Sequence, residues 1–486
     1  MHPNARASAL AVQQDIRATT ARSWVLGLTA AAQFVLQLDF SIVNVALPTV
    51  QRELSFSASG LQWVVTGYAL TYGALLLVAG RGGDQIGHRR AMLAGLTLFA
   101  ISSLAGGLAV SAPMLVIARL VQGGSAALIA PAALALLVDA YQSPAARARA
   151  LGIFQGSTAA GATAGIVLGG VLTEYLGWRS VLLVNPPVIA ILVAIMLRRL
   201  PARDMDETRD SAVGAGAARR LDVAGAGLIT AAIAALIFGL SEGQSRGFGN
   251  PEAIATLAAA VVLGVAFVFV ERHALEPMLP TALLRNRPRA AALTVMFLLG
   301  AVVAGYVYFV SLYLQRVLGL SALMTGLALV PATGTVMVTS VFITRRLLPR
   351  LGIRWTLLTA LVLIVGGQVW LAQISPHGNY LADVLGGILL TAAGMGLAFP
   401  TASFVVTSDV PAQQRGVAGG MLVTAQQVGS AVGLAVLAIV AAEHTEQTGS
   451  LTAGYGLSYL IGAGMALLAI VASFGCLHAN SRQGKL

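Results

Sequence analysis

The chain has 486 residues, 57% of them hydrophobic and only 10% charged, with a mean hydropathy of +0.82; a soluble domain carries about 25% charged residues. A soluble globular protein is excluded, and an integral membrane protein is implied. The formal charge of +11 does not mark a nucleic-acid binder, because the basic residues recur in alternate loops instead of clustering with aromatics.

Windows of about 19 residues give fourteen apolar stretches long enough to cross a hydrocarbon core of roughly 30 Å. In chain order they fall near 24–47, 61–80, 91–110, 114–138, 150–173, 181–197, 223–241, 251–270, 289–314, 321–343, 355–374, 381–403, 417–441 and 455–476. The first follows Arg6, Arg17 and Arg22 and is longer than the roughly 7–15 residues of a signal-peptide core, so it reads as a retained span. With a cytoplasmic N-terminus, the outer loops hold Arg52, Arg179, Arg246 and Arg316, a span holds Arg119, and the other 25 of the 30 basic residues lie inside. Both termini are therefore expected in the cytoplasm.

The first span, GLTAAAQFVLQLDFSIVNVALP (27–48), carries Asp39. A charged side chain at mid-membrane costs roughly 2.5–3.5 kcal/mol, so Asp39 calls for a partner, a bound proton or a watered cavity. The fourth span begins MLVIARLVQGGSAA (114–127) and places Arg119 roughly 8 Å inside the outer boundary, against roughly 13 Å for Asp39. The depths match well enough for the two to pair; the competing reading is an arginine that snorkels to the interface. Desolvation opposes the charge on a carboxylate and a nearby arginine favours it, so such an aspartate is suited to exchanging a proton. The structural alternative is a permanent pair that only fixes two helices. Asp139, Asp409, Glu174 and Asp383 lie at span ends, where solvated caps are expected, which leaves the C-terminal half without a mid-membrane acid.

Two loops repeat. GRGGDQIGHRR (80–90) aligns with TRRLLPRLGIRW (344–355) through Gly87 and Gly352, an offset of 265, and PAARARALG (144–152) aligns with PAQQRGVAG (411–419) at an offset of 267. Their agreement implies a duplicated bundle of the kind built into secondary transporters. The expected organisation is a cytoplasmic tail (1–23), a six-helix bundle (24–197), a polar cytoplasmic linker (198–222), two inserted helices (223–270), a cytoplasmic loop (271–288), a second six-helix bundle (289–476) and a cytoplasmic tail (477–486).

These stretches resemble signatures of the major facilitator superfamily. The loop at 80–90 is similar to its cytoplasmic latch, which implies gate roles for Gly80, Asp84, Gly87, Arg89 and Arg90; Gln85 and His88 stand where the family favours basic residues. Gly152, Gly161, Gly165, Gly169 and Gly170 match the glycine motif of the superfamily's exporters, with Ile166 replacing the usual proline. LDFSIVNVALP (38–48), QWVVTGYAL (62–70), GWRSVLLVNPP (177–187), EPMLP (276–280) and LQRVLGLSALMTGLALVP (314–331) resemble the fourteen-span drug:proton antiporters of the EmrB/QacA type. The resemblance implies an all-α polytopic membrane protein with the major facilitator fold, proton coupling through Asp39 and Arg119, and a central cavity lined by spans 1 and 4.

Polar side chains available to a cargo are Gln33, Asn44, Gln122, Tyr306, Tyr308, Gln368, Gln426 and Gln427; a polar residue in a bundle also serves simply to bond a neighbouring helix. A lone cysteine, Cys476, gives no intrachain disulfide or CxxC site, and a lone lysine, Lys485, gives no GxxxxGK[ST] phosphate loop, so neither metal, cofactor nor ATP is expected. HExxH is missing and no GxSxG stands as a strand-to-helix elbow, which argues against an enzyme. The expected partners are a small molecule, protons and membrane lipid, with an adaptor protein left open. The expected function is proton-driven efflux of a small, partly apolar molecule, an antibiotic or secondary metabolite, across the inner membrane of a bacterium whose arginine bias fits a GC-rich genome. The alternatives are a dedicated exporter of one self-made product, a nutrient importer and a non-transporting sensor.

Overall fold

The computed structural model describes residues 3–200, 222–273, 283 and 285–474. The rest of the expected linker, the EPMLP segment, Cys476, Lys485 and the C-terminal tail lie outside the described residues. Within a bilayer every backbone amide and carbonyl must bond internally, and helices satisfy this one segment at a time. The elements are α1 (Pro3–Glu53), α2 (Ala58–Ile86), α3 (His88–Gly107), α4 (Ala112–Ala140), α5 (Pro144–Leu176), α6 (Arg179–Leu183), α7 (Asn185–Arg199), α8 (Val223–Arg246) and α9 (Pro251–His273). They continue with α10 (Arg287–Leu312), α11 (Ala322–Val338), α12 (Thr344–Leu371), α13 (Gly386–Thr407), α14 (Arg415–Thr448) and α15 (Leu451–Ser473).

Side-chain oxygens start many of these helices by accepting from a backbone amide three residues on: Ser57 for α2, Ser143 for α5, Asp222 for α8, Asn286 for α10, Ser321 for α11 and Ser450 for α15. The expected tail 1–23 is helical from Pro3 and continuous with the first span.

Among the described residues, thirteen helical stretches are long and apolar enough to cross a membrane. One of them, Leu323–Leu371, runs for 49 residues, about twice the roughly 20 that a crossing needs. It contains a single non-helical residue, Gly352 (φ 74, ψ 174). The sequence reading placed a loop over 344–354; instead the helix continues to Gly352, turns there and restarts. Gly87, aligned with Gly352 by the loop repeat, has φ 94 and separates α2 from α3. Both turns occupy the positive-φ region where a side chain is strained and glycine is not.

Packing repeats as well. In the first half α1 lies along α5, α2 and α3 lie against α4, and α3 meets α7; in the second half α10 lies along α14, α11 and α12 lie against α13, and α12 meets α15. Across the halves α2 meets α14 and α5 meets α11, again a matched pair. The α8–α9 hairpin stands outside this scheme and packs through α8 on α2 and α14, with Trp63 of α2 against Phe238 at 5.5 Å and the Thr66 hydroxyl 3.3 Å from that of Ser241. One apolar core fills the second half, a second runs through the first half and on into α10, α12, α13 and α14, and a smaller third lies around Ile42, Leu115 and Trp178.

Candidate functional site

Asp39 is held in place by the backbone of α5. Methyl groups added at Gly161, Gly165 and Gly169 would run into the carbonyls of Phe34, Leu38 and Ile42 in turn, so α5 rides directly on α1 over the two turns that flank Asp39. Gly152 faces the other way, against the Ser340 carbonyl beyond α11, and Gly170 approaches Leu323. The glycine motif thus binds α5 to its own half on one side and to the opposite half on the other. Ile166 rests on Gly326 of α11, and α5 runs unbroken where the family pattern has proline.

Asp39 and Arg119 do pair. Nη1 of Arg119 donates to Oδ2 of Asp39 at 2.7 Å, with the side chains 1% and 0% exposed. Snorkelling of Arg119 is therefore overturned in this conformation. Its Nε donates to the Val64 carbonyl at 3.0 Å, Nη1 also reaches Oε1 of Gln122 at 2.7 Å, and the guanidinium lies 4.4 Å over the Tyr68 ring. The other carboxylate oxygen, Oδ1, accepts from Nε2 of Gln122 at 2.8 Å and from Nδ2 of Asn185 at 2.6 Å. The same two amide nitrogens reach Oγ of Ser103, at 2.6 and 3.1 Å. Five helices, α1, α2, α3, α4 and α7, thus converge on one buried carboxylate whose two oxygens accept three charge-assisted bonds. Such an arrangement is worth most intact: breaking a buried pair from one side costs about 3–5 kcal/mol.

A second cluster closes the end of the bundle where α2 meets α14. Oδ1 and Oδ2 of Asp84 accept from the backbone amides of Gly416 and Val417 at 2.7 and 2.9 Å, so an acid of the first half caps a helix of the second. Gly80 lies flush against Gly416, and Arg415 pairs with Asp139 across the halves. Asp139 is thus an inter-half ion pair and not the solvated cap anticipated from sequence. Nε2 of His88 is 3.4 Å from Asp84, Nε of Arg89 donates to the Leu200 carbonyl, and Arg90 is exposed. Along the α5 seam, Nε2 of Gln155 donates to Ser403 at 3.1 Å and the hydroxyls of Thr163 and Thr333 bond each other.

A helical, twice-repeated membrane bundle with this clasp is what the comparisons meet. A family model described as Major Facilitator Superfamily matches residues 29–434. The chain belongs to the major facilitator superfamily. It is 37% identical to the puromycin resistance protein of Streptomyces alboniger over 90% of this chain and 84% of that one. It is 35% identical to the cephamycin export protein CmcT of Amycolatopsis lactamdurans, over 96% and 94%. A crystal structure of the human organic anion transporter MFSD10 (TETRAN) shares the fold at a TM-score of 0.66 and 18% identity, over 93% and 99% of the two chains. The protein is a multi-pass membrane protein of the superfamily's drug-resistance and export relatives.

Within this facilitator the residues named as cavity candidates have different surroundings. Gln122 is consumed by the Asp39 network. Asn44 is exposed and bonds the Phe40 carbonyl of its own helix, and Tyr308 is 42% exposed. Tyr306 and Gln368 are buried inside the second half with the Tyr306 hydroxyl and Nε2 of Gln368 lacking a protein hydrogen bond, as does Oε1 of the half-buried Gln33. Gln426 and Gln427 are half-buried on α14, where the Gln426 carbonyl meets Gly300. Sequence reasoning missed Asn185, Ser103 and Tyr68. Asn185 lies in the quoted stretch GWRSVLLVNPP (177–187), where a single amide in an apolar span was the one signal available.

Proposed function

We propose that this facilitator exports an antibiotic or a related small, partly apolar metabolite from a bacterial cytoplasm, across the inner membrane, in exchange for protons. The observation that carries the reading is Asp39: a fully buried carboxylate within the first span, held by Arg119, in a chain whose relatives are named for puromycin resistance and cephamycin export. The proposed arrangement has fourteen crossings with both termini in the cytoplasm. Two six-helix bundles (24–197 and 289–476) flank the inserted pair (223–270), and the joining segments 198–222 and 271–288 lie inside.

In the cycle, a proton taken up at Asp39 neutralises the carboxylate and loosens its hold on Arg119, freeing the helices that meet there. Loss of that proton re-forms the network. A proton motive force near 200 mV supplies roughly 4–5 kcal/mol per proton, enough for about a thousandfold cargo gradient. The clasp of Asp84 on Gly416 and Val417, with Arg415 on Asp139, closes the cytoplasmic end in the conformation described. The exporter glycines supply a rigid contact on which the halves rock.

A narrower reading, one dedicated self-made product, is favoured by a specific feature. Among the described residues Asp39 and Glu271 are buried and the Asp84 carboxylate nearly so, and none of these lies in the second half, so a multivalent cation finds no fully buried counter-charge there. The test is accumulation of cationic, neutral and anionic antibiotics, puromycin and a cephamycin included, in a drug-sensitive host with and without the protein. Lowered accumulation of neutral, zwitterionic or anionic compounds is expected. Unchanged accumulation of every compound, with the protein present in the membrane, contradicts the proposal.

A further inference from the structure

Asn185 has a position that an ordinary helix-bonding amide does not need. It is the first residue of α7, which follows α6 through Val184, a residue that keeps helical backbone angles (φ -67, ψ -28), so that 179–199 crosses as one stretch. The two prolines that follow, Pro186 and Pro187, carry no N–H and have a fixed φ, so the hydrogen-bond ladder is interrupted there and the backbone around Asn185 is stiff. From there Nδ2 reaches Oδ1 of Asp39 at 2.6 Å, while Ser103 holds the same nitrogen at 3.1 Å; Asn185 is 1% exposed.

The outer end of the same segment is tied down separately. Oε2 of Glu53, the last residue of α1, accepts from Nε1 of Trp178 at 2.9 Å and from Nη1 of Arg179 at 2.7 Å, and Nη2 of Arg179 donates to the Ala109 carbonyl at 3.3 Å. The charged and titratable groups facing Asp39 are Arg119 from α4 and, across that guanidinium, Tyr68 from α2. The neighbouring α3 and α7 bring the neutral Ser103 and Asn185, and α5 brings glycine.

We propose that Asn185 is a positioning residue for proton exchange: its amide on α7 holds Asp39 in the charged form, and withdrawal of that amide, when α6 and α7 shift against α1, is the step that admits the proton. The proposal rests on the reading of Asp39 as the coupling carboxylate. A hydrogen bond donated to the charged form of an acid favours that form over the protonated one. Loss of the Asn185 donor destabilises the carboxylate relative to the acid, so the proton is held more tightly.

The experiment is an infrared pH titration of the full chain in lipid, following the protonated-carboxyl band of Asp39, identified by its loss in Asp39→Asn. Asn185→Leu is expected to move the midpoint up by about one unit, and Asn185→Gln, which keeps an amide donor, to restore part of the shift. Should the Leu variant fail to fold, Asn185→Ser and Asn185→Gln carry the comparison against wild type. An Asn185→Leu midpoint equal to wild type, or Gln and Leu variants shifted alike, overturns the proposal. Failure of the underlying reading looks different: Asp39→Asn then retains drug-driven proton movement whatever the Asn185 variants do.

Discussion

Arg119 serves three neighbours at once, the Asp39 carboxylate, the Val64 carbonyl and Oε1 of Gln122, with Tyr68 beneath it. Arg119→Leu removes the cation from a buried pair and leaves the carboxyl without it in a dry site, and a loss of about 3–5 kcal/mol is expected. That loss would be read as a lowered unfolding temperature in detergent. Arg119→Lys keeps the charge but not the planar fork and should fall between wild type and the Leu variant. The double variant Asp39→Asn with Arg119→Leu should regain stability without regaining coupling, which separates the structural from the chemical role. Equal stability of Arg119→Leu and wild type would show that the pair is not the buried unit described. Asp39 and Arg119 were legible in sequence because an isolated charge in an apolar run has few explanations. Asn185 and Ser103 were not, because an uncharged polar side chain in a span has many.

At the scale of the element, α5 carries information that no single residue of it does. Its glycines meet the backbone of α1 at four-residue intervals, and those contacts fix the register in which Asp39 faces Arg119. A methyl at Gly165 would lie 2.6 Å from the Leu38 carbonyl and 2.8 Å from Cβ of Ser41. Gly165→Ala is therefore expected to cost about 1–3 kcal/mol by overpacking and to depress transport. Gly170→Ala, whose nearest neighbour is a Leu323 methyl at 3.6 Å, should stay within about 0.5 kcal/mol. Matched thermal-shift and transport measurements check the pair, and equal effects would mean that the motif works by something other than close approach. The glycine spacing was readable from sequence, and so was the turn at Gly352, through its alignment with Gly87. What the sequence did not reveal is that residues 344–351 continue the helix: Arg345, Arg346 and Arg350 look like a loop, yet long basic side chains reach the interface from a helix equally well.

For the whole molecule, duplication was visible in two loop repeats, and the pairing of α1 with α5 against α10 with α14 follows the same plan. Function breaks the symmetry. The first half holds the ionic network, the second presents buried neutral groups such as Tyr306 and Gln368, and the inserted hairpin sets α8 against the α2–α14 seam. Contacts of this kind, including Asp84 with Gly416 and Arg415 with Asp139, join residues more than 270 positions apart, and no local pattern encodes them. Proton-driven export through Asp39 is the claim on which the rest depends. Its most direct test is drug-driven proton movement in proteoliposomes under an imposed pH gradient, for wild type and Asp39→Asn, using the antibiotics whose accumulation the protein lowers. Wild type should couple proton flux to one charge class of drug, while Asp39→Asn should exchange drug for drug without moving protons. Equal coupling in both would contradict the assignment of Asp39 and place the proton site elsewhere in the chain.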